Sequence, residues 1–284
     1  MLKNVIVGVD DDQDGRDAIA LAKQLVDPGA LLTLAHAYRG EVRAPGRSAP
    51  AADEADREHA LNLLERACER AGIDAQLRAI QAQSPSHGLH VLAQDVGADL
   101  LVVGSSGDAM LGRVLLADDT HRALNGAPCA VAIAPARYAQ HPTQIRKIGV
   151  GYNHSPESDH AIGFARQLAR RYGAKLSAFE AVSLPSYTYI GGPVPLEDEE
   201  LDEMVDAARA RIAALGGVEA HAGYGITCDE LAIYSGSVDL LILGSHGYGA
   251  IGRLVHGSTS EALAGSARCP VLVLTRAGRG TANT

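Results

Sequence analysis

The sequence predicts an α/β fold made of two tandem doubly wound domains, each with a parallel sheet flanked by helices. Three observations lead to this prediction. First, the segment VGVDDDQDGRDAI at Val7–Ile19 returns as VGYNHSPESDHAI at Val150–Ile162. Second, two later blocks return in the same order at a spacing of about 140 residues, which indicates an internal repeat. Third, short apolar runs typical of buried strands alternate with stretches typical of helices. This alternation favours parallel strands with helices on both faces of the sheet.

The two later blocks make the repeat convincing. DLLVVGSSG at Asp99–Gly107 matches DLLILGSHG at Asp239–Gly247, and APCAVAI at Ala127–Ile133 matches ARCPVLV at Ala267–Val273. Chance similarity would not keep three blocks in one register, so the chain is expected to be a duplicated domain.

The duplication predicts the domain limits. The first domain is expected at residues 1–140 and the second at residues 145–277, within the chain of 284 residues. A polar stretch at Tyr138–Gln144, which contains Pro142, is expected to separate them.

Each copy is expected to contain five strands with single helices between them. In the first copy the strands are predicted at Asn4–Val9, Leu31–Ala37, Ala75–Ile80, Leu100–Val103 and Ala130–Ala134. The helices are predicted near Gly15–Val26, Ala52–Ala71, Ser86–Val96 and Asp118–Asn125. In the second copy the strands are predicted near Lys147–Tyr152, Lys175–Ala181, Val218–Ala222, Leu240–Leu243 and Val271–Leu274.

Composition argues against several classes of function. The net charge is −9, Trp is absent and aromatic residues make up 4% of the chain. A chain of this kind is not expected to bind nucleic acid, because it offers neither a basic surface nor a stacking platform. No apolar run approaches the roughly 20 residues that a membrane helix needs, and the opening segment does not resemble a signal peptide. We therefore expect a cytoplasmic protein with no membrane partner.

The cysteines indicate neither a metal site nor a redox site. Cys68, Cys129, Cys228 and Cys269 form no C-x-x-C pair, so a zinc ribbon or a thioredoxin-type centre is not expected. Buried free thiols are the expected state of these side chains.

One stretch carries a candidate binding motif. Asp239–Glu261 reads DLLILGSHGYGAIGRLVHGSTSE: an apolar run, then a loop opened by Gly244 and Gly247, then a capping box formed by Ser258 and Glu261. Glycines ahead of a helix N-terminus let backbone N–H groups approach an anion, and the helix dipole adds a favourable potential. The alternative is a purely structural loop, because glycines after strands are common.

These residues resemble a known pattern. Gly244, Gly247, Gly257 and Ser258 are similar to the G-x2-G-x9-G-S/T phosphate-binding motif of the universal stress protein family. Nearly the whole chain resembles a protein made of two copies of that family's domain. The resemblance implies a five-stranded parallel sheet in each domain, ATP binding at the ends of the first and fourth strands, and domain pairing through the fifth strand.

The resemblance implies further site residues in the second copy. Ser260 lies where a second hydroxyl can reach a phosphate oxygen, and Ala181 matches the position whose backbone meets adenine. Asn153 stands where the family usually carries Asp, so it can exchange hydrogen bonds but offers no carboxylate to a ribose hydroxyl or a metal ion. Arg253 is a candidate phosphate contact. A structural role is the alternative, because Arg113 occupies the matching place in the first copy.

The first copy departs from the pattern at the phosphate end. Asp10 is the expected acid, but Ala117 and Asp118 replace the Gly-Ser pair and Asp119 follows. Two carboxylates at the place where phosphates would bind make binding less favourable by an amount on the order of a few kcal/mol. Ala117 also adds a Cβ at a position where the backbone must come close to the phosphates. We therefore expect one competent ATP site, in the second copy. A Mg²⁺-bridged site at Asp118 and Asp119 is the alternative.

The leading prediction is an ATP-binding regulatory protein of the stress-response type, with ATP bound either alone or with Mg²⁺. It is expected to be non-catalytic or a slow ATPase, because the motif supplies a cradle and no evident catalytic base. One alternative is an adenylating or amidating enzyme, which the first-strand loops DDDQDG and NHSPES do not favour. Another is a nucleotide-independent scaffold that acts through domain pairing and partner binding. The apolar fifth strands are compatible with pairing within one chain and with a homodimer.

Overall fold

The computed structural model describes residues 2–10, 13–39, 50–105, 123–183, 198–245 and 258–274. The first half contains β1 (Asn4–Gly8), α1 (Gln13–Leu25), β2 (Leu31–Tyr38), α2 (Pro50–Ala71), β3 (Gln76–Gln81), α3 (Pro85–Asp95), β4 (Leu100–Gly104) and β5 (Ala130–Ala134). The second half contains β6 (Lys147–Gly151), α4 (Pro156–Tyr172), β7 (Lys175–Val182), α5 (Asp198–Ala213), β8 (Glu219–Tyr224), α6 (Thr227–Ser235), β9 (Leu240–Gly244), α7 (Ser258–Ser266) and β10 (Val271–Leu274).

All ten of these strands belong to one sheet, in the order β3-β2-β1-β4-β5-β10-β9-β6-β7-β8. Neighbouring strands within each half are parallel, and the pair β5–β10 is antiparallel. The predicted α/β fold with two doubly wound halves is therefore confirmed. The two five-stranded sheets are continuous through β5 and β10, in agreement with the fifth-strand pairing that the resemblance implies.

Helices cover both faces of this sheet. Side chains of α1, α2, α4 and α5 pack on one face, and those of α3, α6 and α7 pack on the other. Because successive strand residues point to opposite faces, Val5 and Val7 of β1 join the first layer while Ile6 joins the second. Full burial of a Val, Leu or Ile side chain contributes roughly 1.5–3 kcal/mol, so both layers hold the central strands in place.

The fifth strands join the two halves within the chain. Val131 of β5 lies opposite Val273 of β10, and Ile133 lies opposite Val271. All four side chains are at most 2% exposed. Of the two arrangements that the sequence leaves open, the structure shows pairing inside one chain. A homodimer stays a prediction, and fifth-strand pairing does not require it.

A second contact between the halves lies beside this strand pair, where the end of α4 meets the end of α1. Arg171 forms an ion pair with Asp27, and the Tyr172 hydroxyl donates a hydrogen bond of 2.5 Å to the Gln24 carbonyl. Burial alone would raise the pKa of Asp27, but hydrogen bonds and the Arg171 charge outweigh burial and hold this pKa below its usual value.

The segment that joins the halves is anchored by a buried carboxylate. Asp17 of α1 is fully buried and accepts hydrogen bonds from the backbone N–H groups of Arg137, at 2.7 Å, and Ala139, at 2.6 Å. Arg137 has a φ of 67°, in the left-handed region that is uncommon for residues other than glycine. The carboxylate supplies the acceptors that this turn of the backbone needs once it is removed from water.

The two halves fill the same place in the core differently. In the first half Ile6 of β1 is fully buried, whereas the repeat places Gly149 of β6 at that position. A Cβ on Gly149 would lie 2.7 Å from Cε1 of Tyr234 in α6, which is closer than real Cβ contacts. The Tyr234 hydroxyl also hydrogen-bonds the Ser177 hydroxyl at 2.5 Å. An aromatic ring has therefore taken the volume that a branched side chain takes in the first half.

Most of the predicted strands agree with the structure to within one residue at each end, and β8 begins one residue later and ends two residues later than predicted. The helix predicted near Asp118–Asn125 lies mostly outside the described residues. Within the described part of the chain, no helix is both long and apolar enough to cross a membrane.

The expectation of buried free thiols is half correct. All four cysteines are free, and Cys129 and Cys269 are buried. Burial raises the pKa of each of these two thiols to about 12. Cys68 and Cys228 are only partly buried, because they lie on α2 and in the first turn of α6, where one side of the helix faces water.

Candidate functional site

The candidate site lies at the carboxyl edge of the sheet, where β6 and β9 are neighbours. The chain leaves β6 toward α4 on one face and leaves β9 toward α7 on the other, so strand order reverses here. The crevice outside the carboxyl ends of the strands at such a point is where doubly wound sheets bind ligands. Three predicted site residues meet at this edge: Gly244 ends β9, Ala181 is the next-to-last residue of β7, and Asn153 follows β6.

Asn153 is exposed and organises the start of α4. Its Oδ1 accepts hydrogen bonds from the backbone N–H of Ser155, at 3.3 Å, and from the Ser155 hydroxyl, at 2.7 Å. Ser155 Oγ in turn accepts a hydrogen bond from the backbone N–H of Ser158, at 3.2 Å, as the N-cap of α4. With Oδ1 used in this cap, the amide NH₂ is the group that Asn153 can direct toward a ligand.

Gly244 has a packing role that is separate from any ligand. A Cβ at this position would lie 2.4 Å from the carbonyl oxygen of Glu157 in the first turn of α4. Any larger residue would therefore push α4 away from the end of β9. The glycine brings the N-terminus of α4 close to the site, where helix N–H groups favour negative charge.

Ser245, directly after β9, is a site residue that the sequence analysis missed. It is 2% exposed, and its hydroxyl has no hydrogen-bond partner within the described part of the chain. Its backbone N–H donates to the Leu274 carbonyl at 3.1 Å, which holds the residue against β10. A buried hydroxyl without a partner costs about 1–3 kcal/mol. The available signal was its place inside the glycine motif, which Ser105 occupies in the first copy.

The helix after the glycine loop contributes further donors. α7 begins at Ser258, and the first N–H groups of a helix have no acceptor within the helix. Ser260, in the first turn, is 8% exposed, so its hydroxyl is removed from bulk water at the end that attracts anions. The side chains of the predicted capping box, Ser258 and Glu261, lie outside the described part of the structure.

The remaining predicted site residues are Gly247, Arg253 and Gly257. They fall between residues 245 and 258, outside the described residues. Their contacts with a phosphate stay predictions from the sequence.

A charged cluster flanks the site on the side of α5. Arg211 donates a hydrogen bond of 2.7 Å to Oε1 of Glu180, and Nε2 of His154 lies 2.8 Å from Oε2 of the same carboxylate. The Tyr152 hydroxyl donates to Asp159 at 2.8 Å. Burial and this bond to Asp159 raise the pKa of Tyr152 to about 12. The Glu180 carboxylate is therefore paired with side chains of the protein.

No metal site accompanies these residues in the described ranges, where no group of three or more His, Cys, Asp or Glu side chains is arranged to hold an ion.

Comparison with known proteins identifies the family. The sequence model of the universal stress protein family matches residues 1–135 and again residues 144–275. This chain belongs to the universal stress protein family.

Curated universal stress proteins show the same relationship. One from Mycobacterium tuberculosis is 31% identical over 192 residues, which cover 62% of this chain and 61% of the relative. The match thus spans less than two thirds of that relative's own length. Another from the same organism is 27% identical over 216 residues, covering 72% of this chain and 73% of the relative.

Solved universal stress proteins share the fold. The structure from Archaeoglobus fulgidus aligns with a TM-score of 0.68 and 16% identity, over 97% of this chain and 99% of that chain. At this identity the likeness shows the fold and carries no information about the ligand.

The first half of this universal stress protein keeps part of the site. Asp10, at the position of Asn153, uses Oδ1 to accept a hydrogen bond from the backbone N–H of Gly15 at 3.1 Å. Ser105 is partly exposed, in contrast to Ser245. The residues that distinguish the first-copy motif, from Ala117 to Asp119, lie outside the described ranges.

Proposed function

We propose that this universal stress protein is a stress-response regulatory protein that binds ATP at the carboxyl edge of β6 and β9. The observation that carries the proposal is the hydroxyl of Ser245, directly after β9, which is buried and has no hydrogen-bond partner among the described residues. A buried polar group without a partner calls for an explanation, and a phosphate oxygen is a strong acceptor for such a donor.

The proposed roles follow from position. The hydroxyls of Ser245 and Ser260, with the N–H groups that open α7, bind the phosphates, together with Gly247, Arg253 and Gly257 of the loop. Asn153 donates its amide NH₂ to the nucleoside end, and the backbone at Ala181 meets adenine. Because Asn153 brings no carboxylate, any Mg²⁺ is held mainly by the phosphates and water.

Regulation rather than turnover is the proposed activity. The described site residues are hydroxyl, amide and backbone donors, which stabilise bound phosphates but do not activate a water molecule. ATP hydrolysis, if measured, is expected to be slow. We propose that the nucleotide-binding domain spans residues 145–277 and that residues 1–140 form the domain with the altered motif. A cytoplasmic location belongs to the same proposal, and the four free thiols support it.

The decisive test is the nucleotide content of the purified protein, measured by chromatography after denaturation, followed by titration with ATP in the presence and absence of Mg²⁺. A matched pair of variants locates the site. Gly257→Asp places a carboxylate in the second-copy motif, and Ala117→Asp places one at the corresponding position of the first. We expect one ATP per chain, lost in Gly257→Asp and retained in Ala117→Asp, with unchanged circular dichroism in both.

Each other outcome leads to a different conclusion. Two ATP per chain would show that the first copy binds nucleotide and that the electrostatic argument against it is wrong. ATP lost in Ala117→Asp but not in Gly257→Asp would move the site to the first half. No binding of ATP with or without Mg²⁺ would overturn the proposal and favour the nucleotide-independent scaffold, in which the continuous ten-stranded sheet presents both halves to a partner.

A further inference from the structure

A cavity of about 380 Å³ lies between α1 and α2 in the first half. It is on the face of the sheet opposite to α7, so it is separate from the candidate nucleotide site. Ile19 and Leu63, which line it, are each 4% exposed. The apolar lining comprises Val9, Ile19, Ala20, Leu63, Ala67 and Ala71.

Cations surround this apolar lining. Arg16, Lys23 and Arg70 line the cavity and are exposed. Lys23 Nζ donates a hydrogen bond of 2.9 Å to the Ala71 carbonyl, which ties α1 to the end of α2 and uses one of the three protons of the ammonium. Asp10 also lines the cavity and accepts a hydrogen bond from the backbone N–H of Gly15. The described residues that line the cavity thus include three cations and one carboxylate, on a chain whose net charge is −9.

The corresponding helices of the second half, α4 and α5, are tied together by a similar hydrogen bond. Arg166 of α4 donates to the Leu215 carbonyl at 2.5 Å, just as Lys23 of α1 donates to the Ala71 carbonyl. This correspondence aligns α1 with α4 at an offset of 143 residues and α2 with α5 at an offset of 144 residues.

In that register two of the small side chains that line the cavity are replaced by larger ones. Tyr152 takes the place of Val9, and Arg211 takes the place of Ala67. Both have partners within the protein: Tyr152 bonds to Asp159, and Arg211 bonds to Glu180. Two positions that leave open space between the helices of the first half are therefore occupied by large, hydrogen-bonded side chains in the second.

We propose that the cavity binds a medium-chain carboxylate. The alkyl chain lies against Ile19, Leu63 and Ala67, and the carboxylate is held by Lys23 and Arg70. The volume falls within the roughly 300–1,000 Å³ of small-molecule sites, which combine an apolar lining with a few placed polar groups. A guanidinium matches a carboxylate with two parallel hydrogen bonds, and the cationic rim excludes cationic amphiphiles.

The proposal is tested by calorimetric titration of the full chain with octanoate, with 1-octanol as the uncharged probe of the same length. Ala67→Leu fills the apolar part of the cavity, and Arg70→Gln removes a rim charge. Ala55→Leu is the matched control, because Ala55 is an exposed residue of α2 that does not line the cavity. We expect saturable binding of octanoate at millimolar or lower concentration, weakened about tenfold or more in Ala67→Leu and several-fold in Arg70→Gln. The control is expected to bind octanoate as the wild type does.

Other results of these titrations would contradict the proposal. Octanoate binding that persists in Ala67→Leu would place the ligand elsewhere, and octanol binding as tight as octanoate binding would remove the role of the cations. No saturable binding of octanoate to the wild type would overturn the proposal. Thermal unfolding of Ala67→Leu serves as the fold check: filling a cavity is expected to leave the midpoint unchanged or higher. If the midpoint falls, Ala20→Val replaces it as the filling variant.

Discussion

Replacement of Ser245 by alanine is expected to stabilise the free protein while it weakens ATP binding. The hydroxyl is 2% exposed and has no partner among the described residues. Its removal relieves part of a desolvation penalty of about 1–3 kcal/mol. Because alanine leaves only a small void, we expect the free protein to gain about 0.5–1 kcal/mol.

The same substitution removes a donor from the bound phosphates. A hydrogen bond to a charged group contributes about 1.5–3 kcal/mol, which corresponds to a roughly ten- to hundredfold higher Kd for ATP. A purely structural serine would not produce opposite signs in these two measurements. Ser105→Ala is the matched control, because Ser105 occupies the same motif position in the first half and is partly exposed.

Two assays measure the two effects. Urea denaturation without nucleotide gives the change in the free energy of unfolding, and calorimetric titration with ATP gives the change in Kd. A loss of about 1 kcal/mol or more in the free protein would mean that the hydroxyl is already satisfied, which refutes the premise. An unchanged Kd with intact folding would show that Ser245 does not contact the phosphates.

Three further predictions concern the packing of the sheet and the contacts between the two halves. Asp17→Asn leaves one of two partly buried backbone N–H groups facing the NH₂ group of the new side chain. The free energy of unfolding in urea is therefore expected to fall by about 1.5–3 kcal/mol, and an effect below about 0.5 kcal/mol would mean that Asp17 does not anchor the joining segment. Gly149→Ala is expected to lower the free energy of unfolding by about 1–3 kcal/mol in the same assay, because the new Cβ meets the ring of Tyr234. Adding Tyr234→Leu should recover part of that stability. Strictly additive losses in the double variant would show that the two side chains do not interfere. Arg171→Gln tests the contact between the halves: since the pKa of Asp27 is lowered in the folded state, its contribution is present above the unfolded pKa of about 3.9 and disappears as pH falls through the lower folded pKa. The difference in unfolding free energy between Arg171→Gln and wild type should therefore be largest near pH 7 and shrink below about pH 4, and a difference independent of pH would contradict the ion pair.

Local sequence predicted the elements well where one physical signal dominates. The apolar runs at Leu100–Val103 and Leu240–Leu243 predicted buried parallel strands, and β4 and β9 extend them by one residue. In α2 the residues Ala60, Leu63, Leu64 and Ala67 have the apolar spacing of a helix; the first three are buried and Ala67 is partly buried. These predictions succeed because the periodicity of strands and helices is set by residues that are close together in the sequence.

The candidate site shows the limit of prediction from local sequence. Motif spacing pointed to Asn153, Ala181 and Gly244, and the structure brings them to one edge of the sheet. Motif spacing could not reveal that Gly244 is required by the backbone of Glu157, or that Ser245 is buried with no hydrogen-bond partner among the described residues. Both facts depend on segments more than 20 residues apart in the chain, and no local pattern records such a distance.

The sequence by itself determined the duplication, the order of strands and helices, the position of the glycine motif and the family. Repeats, periodicity and motif spacing are all properties of residues close together in the chain. Only the tertiary structure decided that β5 and β10 join the two sheets into one. It also decided that Val9 and Ala67 leave a cavity where Tyr152 and Arg211 occupy the corresponding positions in the second half. Such outcomes depend on side-chain volumes contributed by remote segments, and those volumes meet only when the chain has packed.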